Sequence, residues 1–268
     1  MPRTAASVPF ATRALVLRAR PLGEKDRVLT LFSPERGKFS AVARGSRSPK
    51  GKLASTAQPF VLARFALATG RSLDIVTQAQ IETMHPHIAG DVLKLSWASF
   101  SSECADHAPE DVADEHGFAV LEVFLDALDS APDFAAIEAA GVWFQSQWLA
   151  HAGYAPTIGF CVVCERKIEP NEELWFGPMA GGTLCRNCRG TQNSPEKVSS
   201  DSMRALYRLE RSRRPPASLE DAPFLLDERA QGELARSVER ALLSHADGRF
   251  RSLSSLQDAR AAARLQTS

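Results

Sequence analysis

Four cysteines carry the most explicit chemistry in the chain. Cys161-Val162-Val163-Cys164 and Cys185-Arg186-Asn187-Cys188 are separated by 20 residues, so the text reads Cys-x2-Cys-x20-Cys-x2-Cys. A two-residue gap lets each pair bend as a knuckle that aims both sulfurs at one cation and sets backbone N–H groups beside the thiolates. Four such sulfurs at about 2.3 Å complete a tetrahedral zinc site with no open position, so Cys161, Cys164, Cys185 and Cys188 are expected to be structural ligands of a single zinc. Two redox-active dithiols are the alternative chemistry, but neither pair opens a helix within a strand–helix–strand pattern. Between the pairs, Leu174-Trp175-Phe176 and Thr183-Leu184 flank Gly177-Pro178-Met179-Ala180-Gly181-Gly182, the pattern of a short hairpin in a zinc ribbon. So short a stretch has little core of its own, and its folding is expected to depend on the metal.

A second concentration of chemistry is cationic. Arg36, Lys38, Arg44, Arg47, Lys50 and Lys52 lie within 17 residues, and Gly45, Ser46, Ser48 and Gly51 are expected to leave the loop among them open and flexible. Such cations can follow a phosphate backbone. Arg18, Arg20, Lys25, Arg27 and Arg71 extend the expected surface. Residues 1–80 contain no Trp or Tyr, and most of Phe10, Phe32, Phe39, Phe60 and Phe65 are needed for a core, so binding is expected to be electrostatic and insensitive to base sequence. Catalytic signatures are missing: there is no phosphate-binding Gly-x4-Gly-Lys-Ser/Thr, no dinucleotide Gly-x-Gly-x-x-Gly after a strand, no His-Glu-x-x-His and no Gly-x-Ser-x-Gly. His85-Pro86-His87 reads as a linker rather than a metal pair, and Glu24 and Asp26 read as solvated loop carboxylates. Cys104 falls on an apolar helical face as a buried, inert thiol, and His151 reads as a structural histidine near the first cysteine pair.

The elements that must hold these groups change character along the chain. From Arg13 to Thr83 the text is strand-like: Ala14–Leu17, Val28–Phe32, Phe39–Ala43, Phe60–Leu67 and Leu73–Ala79, with a turn at Ser33-Pro34-Glu35-Arg36-Gly37. Five strands in so short a block predict a small closed barrel, and the OB fold suits both strand count and charge. Beyond Pro86 the apolar period moves toward 3.6. Leu93, Trp97, Phe100 and Cys104 form one helical face; Phe118, Leu121, Leu125 and Leu128 a second; Phe134, Ile137, Gly141, Phe144, Trp148 and His151 a third, with starts at Asp114 and Asp133. Trp97, Trp143 and Trp148 are expected to pack. Met203, Leu206 and Tyr207 mark a later helix before Pro215-Pro216, followed by Leu234, Val238, Ala241, Leu242 and His245, and a short one after Ser255.

The chain of 268 residues is 44% hydrophobic and carries 32 basic and 32 acidic side chains, which excludes disorder as its main state. The zero net charge hides a pattern. Residues 1–80 hold 14 Lys and Arg against 4 Asp and Glu, whereas residues 81–160 hold 1 against 13. A basic block beside an acidic one predicts a polyanion-binding module joined to one that must not bind polyanions; mutual attraction of the two blocks is the blander reading. No run approaches the about 18 apolar residues of a membrane span, and Met1 to Thr12 resembles no targeting peptide, so a cytoplasmic protein with no membrane partner is expected.

The expected layout is α+β: an extension over 1–12, an OB-fold DNA-binding barrel over 13–83, a helical domain over 84–160 and 191–268, and the zinc ribbon over 161–190 between its parts. Leu22 to Gly45, with Gly23-Glu24-Lys25-Asp26-Arg27 at its start, Ser33-Pro34-Glu35-Arg36-Gly37-Lys38 at its turn and Ala43-Arg44-Gly45 at its end, resembles the amino-terminal barrel of the bacterial RecO family of recombination mediators. Gln58-Pro59-Phe60, Leu73 to Gln80, Gly153-Tyr154-Ala155-Pro156 and Gly181-Gly182-Thr183-Leu184-Cys185 continue the likeness. The resemblance implies a non-enzymatic protein of DNA repair and recombination that binds single- and double-stranded DNA, anneals complementary strands and works in the nucleoid with RecR and single-stranded-DNA-binding protein to load the recombinase (the RecFOR pathway). The acidic tail expected on single-stranded-DNA-binding protein is assigned to Arg204, Arg208 and Arg211, because arginine forks suit carboxylates. Competing readings are a zinc-ribbon transcription or RNA-binding factor and an enzyme with its site in the helical domain.

Overall fold

The computed structural model describes residues 10–70, 72–169, 172–245 and 250–267. The chain divides into two compact units, one running to Asp129 and taking back Phe250–Ala261, the other running from Ser130 and including the residues from Ala262.

The first unit begins with five strands, β1 (Phe10–Leu22), β2 (Asp26–Ser33), β3 (Gly37–Ala43), β4 (Leu62–Ala68) and β5 (Asp74–Thr83), closed in the order β1-β2-β3-β5-β4. Neighbours are antiparallel except β3 and β5, whose short parallel pairing, Ala41 with Asp74 and Val42 with Ile75, closes an OB-like barrel. Period-two alternation selects the interior: Val16, Leu29, Leu31, Phe39, Phe65, Leu67 and Val76 point inward among small Ala14, Ala41, Ala43 and Ala63, which fit the narrow centre. Leu15, Leu17 and Phe32 are equally buried on the other faces of their strands. β1 starts at Phe10, so the expected extension over 1–12 is shortened at its end. Phe10 to Leu15 pair with Leu67 to Leu62, and the ladder takes up those residues although their side chains alternate less clearly.

Three helices complete this unit, α1 (Pro86–Gly90), α2 (Val92–Asp106) and α3 (Glu115–Ser130), together with the start of α7 (Ser252–Thr267). Asp91 caps α2 by accepting from the Leu93 and Lys94 amides, and Asp114 accepts from the Gly117 amide (2.8 Å). Trp97, Phe100 and Phe124 meet edge-on, and Phe118 packs 6.3 Å from Phe32 of the barrel. The compact unit runs past the expected boundary at residue 83, because Phe118 packs on the barrel and α2 and α3 pack on each other through Trp97 and Phe124. Charge acts in the same direction. Arg13 donates to Glu82 and Glu122, Arg18 pairs with Asp106 (2.8 Å), Arg36 pairs with Asp74 and Asp111, and Lys38 donates to the Asp106 carbonyl (2.6 Å). Part of the basic and acidic blocks thus neutralise each other.

The second unit is built on α4 (Phe134–His151), capped by Asp133 and buried almost all round, with α5 (Ser200–Leu209) and α6 (Glu228–His245) against it. Trp143 donates its indole N–H to the Ser212 carbonyl (3.1 Å), and the Gln147 amide donates to the Leu209 and Ser212 carbonyls, satisfying acceptors left open where α5 ends. Strands β6 (Leu174–Gly177), β7 (Gly182–Cys185) and β8 (Glu196–Val198) form a small sheet in the order β7-β6-β8. The hairpin matches its expected place; β8, only three residues long, has too short a period to be read from sequence. Among the described residues no helix is long and apolar enough to cross a membrane.

Candidate metal centre and nucleic-acid interface

The metal centre is assembled by two knuckles and a hairpin. In the first knuckle the Cys161 amide donates to the Arg166 carbonyl (2.9 Å) and the Glu165 amide to the Cys161 carbonyl (2.8 Å); in the second the Cys188 amide donates to the Cys185 carbonyl (3.1 Å). Cys185 ends β7, and that strand is tied to the first knuckle by the Val162 amide on the Thr183 carbonyl (3.0 Å) and to the preceding segment by Thr157. Gly182 makes the approach possible. Its φ is 156°, and a Cβ there would lie 2.4 Å from the Thr157 carbonyl oxygen.

All four sulfurs lie within 4.8 Å of one another, and Cys164 Sγ is 3.9 Å from Cys185 Sγ. A tetrahedron with metal–sulfur bonds of about 2.3 Å has edges of about 3.8 Å, so the cluster fits a single four-coordinate cation. Cys161 and Cys185 are buried, Cys188 is half-buried and Cys164 is exposed. Burial pushes the Cys161 thiol up, but N–H groups of Cys185, Cys164 and Val163 outweigh it and bring it to about 6. Cys185 is also lowered: burial opposes the shift, and the Arg166 guanidinium and neighbouring donors outweigh it. Burial and the surrounding sulfurs raise Cys188 to about 12. The thiolate form is thus favoured at Cys161 and Cys185 and disfavoured at Cys188, where a bound cation would offset the repulsion of the neighbouring sulfurs. Neither His85-Pro86-His87 nor His151 joins the cluster. The His85 ring lies between the Phe60 carbonyl (2.7 Å) and Asp126 (3.1 Å), His87 meets Asp129, and His151 packs 5.3 Å from Trp148. Cys104 is fully buried, and desolvation pushes its thiol well up.

The expected cationic residues separate into two groups. Arg36 is held by Asp74 and Asp111, with its guanidinium 4.4 Å from the Phe39 ring centre, and Lys38 is held by the end of α2. Both are committed inside the first unit, because the β2–β3 turn that carries Arg36 and the start of β3 that carries Lys38 meet carboxylates and a carbonyl that the sequence keeps tens of residues away. Arg44, Arg47, Lys50 and Lys52 are exposed, as are Arg20 near the end of β1 and Lys25 in the β1–β2 turn. Among the described residues none of these six is in an ion pair; Arg71 lies outside the described residues.

The loop that carries the exposed group is not open. Successive amide bonds, Ser48 to Gly45, Gly51 to Ser48, Ala54 to Gly51 and Ala57 to Leu53, wind it into turns, and Leu53 and Ala57 enter the barrel core. It is also fastened to the β1–β2 turn. The Gly45 amide donates to Asp26 Oδ1 (2.8 Å), Arg27 Nη1 to the Ser46 carbonyl (2.9 Å), the Arg47 amide to the Lys25 carbonyl (3.0 Å) and Arg47 Nη1 to the Gly23 carbonyl. Asp26 is thus no solvated loop carboxylate but a half-buried acceptor at the start of β2. The signal for it was the register that sets β2 against the end of β3, where Arg27 faces Ala43.

Arg204 and Arg208 on α5 and Arg211 in the turn just after it are exposed. They meet Asp201, the Pro223 carbonyl and Glu210 respectively. Tyr207, expected on the apolar side, is 47% exposed with its ring 3.5 Å from the Arg211 guanidinium. Met203, Leu206 and Leu209 fill the inward stripe without it.

A family model described as "Recombination protein O N terminal" matches residues 8–85, and one described as "Recombination protein O C terminal" matches residues 89–254. A protein of Synechococcus elongatus named DNA repair protein RecO is 32% identical over 253 residues, covering 87% of this chain and 94% of that protein. The protein of the same name from Moorella thermoacetica is 30% identical over 204 residues, 75% of this chain and 74% of that one. One from Desulfitobacterium hafniense is 35% identical over 182 residues, 68% of this chain and 65% of that one. A closed five-stranded barrel, helices with a four-cysteine cluster, and matches running through both therefore place this chain in the recombination protein O (RecO) family.

Proposed function

We propose that the chain binds DNA through phosphates along the fastened basic end of its barrel and acts, without turning over a substrate, as a strand-annealing mediator of repair and recombination. The observation that carries this reading is the fastening of the loop after β3 to the β1–β2 turn, which gathers Lys25, Arg44, Arg47, Lys50 and Lys52 at one end of the barrel, exposed and in no ion pair among the described residues. A row of cations with no exposed aromatic reader addresses phosphates rather than bases, which accommodates both single strands and duplex. Phe32, Phe39 and Phe65 are buried and cannot stack on bases. Membership of the family supports a cytoplasmic, nucleoid role beside RecR and single-stranded-DNA-binding protein in loading the recombinase. The cation at the four cysteines is zinc in a structural role, since four thiolates leave no position for a reactant.

The test is annealing of complementary oligonucleotides coated with single-stranded-DNA-binding protein, with and without RecR. Faster annealing, a complex with RecR and strands of unchanged length are the expected results. No acceleration, or a preference for RNA over single-stranded DNA in competition, overturns the reading. Arg204, Arg208 and Arg211 present exposed guanidinium groups suited to an acidic peptide, the tail of single-stranded-DNA-binding protein. Reversing all three to Glu is expected to abolish binding of a tail peptide, and unchanged affinity removes that surface from the proposal.

A further inference from the structure

The segment Gly23-Glu24-Lys25-Asp26-Arg27 holds two acids, an exposed Glu24 and a half-buried Asp26, and beside the cations of the edge simple electrostatics offers Asp26 no purpose. Its partners supply one. Three consecutive residues of the loop after β3 are each tied to this turn: Gly45 through its amide to Asp26 Oδ1 (2.8 Å), Ser46 through its carbonyl to Arg27 Nη1 (2.9 Å), and Arg47 through its amide to the Lys25 carbonyl (3.0 Å). The Ser46 hydroxyl, buried, closes the set on the Ala43 carbonyl (2.7 Å). Gly45 takes φ of 66°, the left-handed turn that brings its amide round to Asp26. Between β3 and β4 the chain runs from Arg44 to Val61, a connection long enough that its ordering on a ligand would cost affinity unless it were ordered beforehand.

We infer that Asp26 and Arg27 are positioning residues for nucleic-acid binding: they form a latch that holds Arg44, Arg47, Lys50 and Lys52 in line with Lys25 as one pre-ordered phosphate-binding edge. The inference rests on the DNA-binding reading above and adds a sign that charge alone does not give. Removing the Asp26 carboxylate takes a negative charge from beside a polyanion and, by charge alone, strengthens binding. Removing it as a hydrogen-bond acceptor frees the Gly45 amide and the loop, and weakens binding.

Asp26→Asn and Asp26→Ala change the charge equally, but asparagine keeps an oxygen for the Gly45 amide. With a labelled single-stranded oligothymidine at fixed salt, D26N is expected to bind at least as tightly as the native chain. D26A is expected to bind about tenfold more weakly than D26N, the loss of about one neutral hydrogen bond. Arg27→Lys keeps the charge but loses the Nη1 bond to the Ser46 carbonyl, and is expected to weaken binding several-fold with the thermal transition unchanged. Hydrogen exchange at the Gly45 and Arg47 amides reads the latch without DNA, with protection expected to be retained in D26N and lost in D26A while the barrel strands stay protected. Equal affinities of D26A and D26N, or an unaltered Gly45 amide in D26A, overturn the inference. Should D26A fail to fold, R27K decides by the same two measurements, and native affinity with native protection at Arg47 overturns it. If the native chain shows no salt-dependent DNA binding, the DNA-binding reading itself has failed, and that result is distinct from a failed latch.

Discussion

Replacing Arg44, Arg47, Lys50 and Lys52 together by Ala tests the barrel edge most directly, because its effect is read as a slope rather than a single affinity. The exposed set comprises these four with Arg20 and Lys25. If each neutralises a phosphate of a single strand, log K falls with log salt by about 0.7 per contact, a slope of about −4 for the native edge. Between about 50 and 200 mM salt the native affinity then falls roughly 300-fold. With two cations left the slope becomes about −1.4 and the same change costs roughly sevenfold. Fluorescence anisotropy of a labelled oligothymidine over a salt series measures both. The four side chains are in solvent, so the thermal transition should move little and the metal content not at all, since surface substitutions away from packing are usually within about 0.5 kcal/mol. Base composition of the oligonucleotide should change neither slope. A quadruple variant with native affinity and native slope would refute the assignment of DNA to this edge and return attention to the arginines of α5.

Metal and stability make further predictions. Cys161→Ser or Cys185→Ser removes a buried ligand, and because apparent binding free energies of structural zinc run to about 10 kcal/mol or more, the purified variant should lack zinc by elemental analysis and its ribbon should become protease-sensitive; native protein purified without chelator and free of zinc would defeat the assignment. Gly182→Ala drives a Cβ to 2.4 Å from the Thr157 carbonyl, and zinc should be lost to a chelator far faster than from the native chain; an unchanged release rate would show that the segment shifts freely. Glu210 is buried with one carboxylate oxygen unpartnered, and burial raises its carboxyl from 4.5 to about 7 despite Arg211. The folded chain holds that proton more tightly than the unfolded chain, so the stability this group contributes is fully present below about 4.5 and is lost as pH rises through about 7, with a ceiling of about 3 kcal/mol. Glu210→Gln should flatten this fall and raise the melting temperature at pH 8, and an identical pH profile in the variant would exclude Glu210 as its source.

Two regions show where charge counting reaches its limit. Arg36 and Arg44 belong to one basic run, yet Arg36 is clamped between Asp74 and Asp111 while Arg44 stands in solvent. Arg36 lies in the tight turn between β2 and β3, which sets it against Asp74 and Asp111, whereas Arg44 begins the longer connection after β3, so two cations a few positions apart meet unrelated surroundings. The attraction between basic and acidic blocks and the polyanion surface are therefore both present, divided residue by residue. Arg13, Arg18, Arg36 and Lys38 serve the first, and the end of the barrel keeps the rest.

Local chemistry was legible in the linear text wherever spacing alone constrains geometry. The two Cys-x2-Cys pairs come together because each gap forces a knuckle and four thiolates suit one cation; the barrel and helices follow because apolar residues repeat every two and then about every 3.6 positions; and Asp114 and Asp133 sit where helix amides need acceptors. Tertiary structure alone decided what depends on neighbours distant in sequence. It assigned α2 and α3 to the barrel, took Arg36 and Lys38 away from the exposed cations, turned Tyr207 outward, and made Asp26, a solvated carboxylate to any local reading, the fastening between two basic segments. The physical reason is common to all four. Periodicity and short spacings are properties of a backbone that needs only itself, whereas burial, ion pairing and hydrogen-bond satisfaction are settled by whichever groups the closed barrel and the packed helices bring within reach.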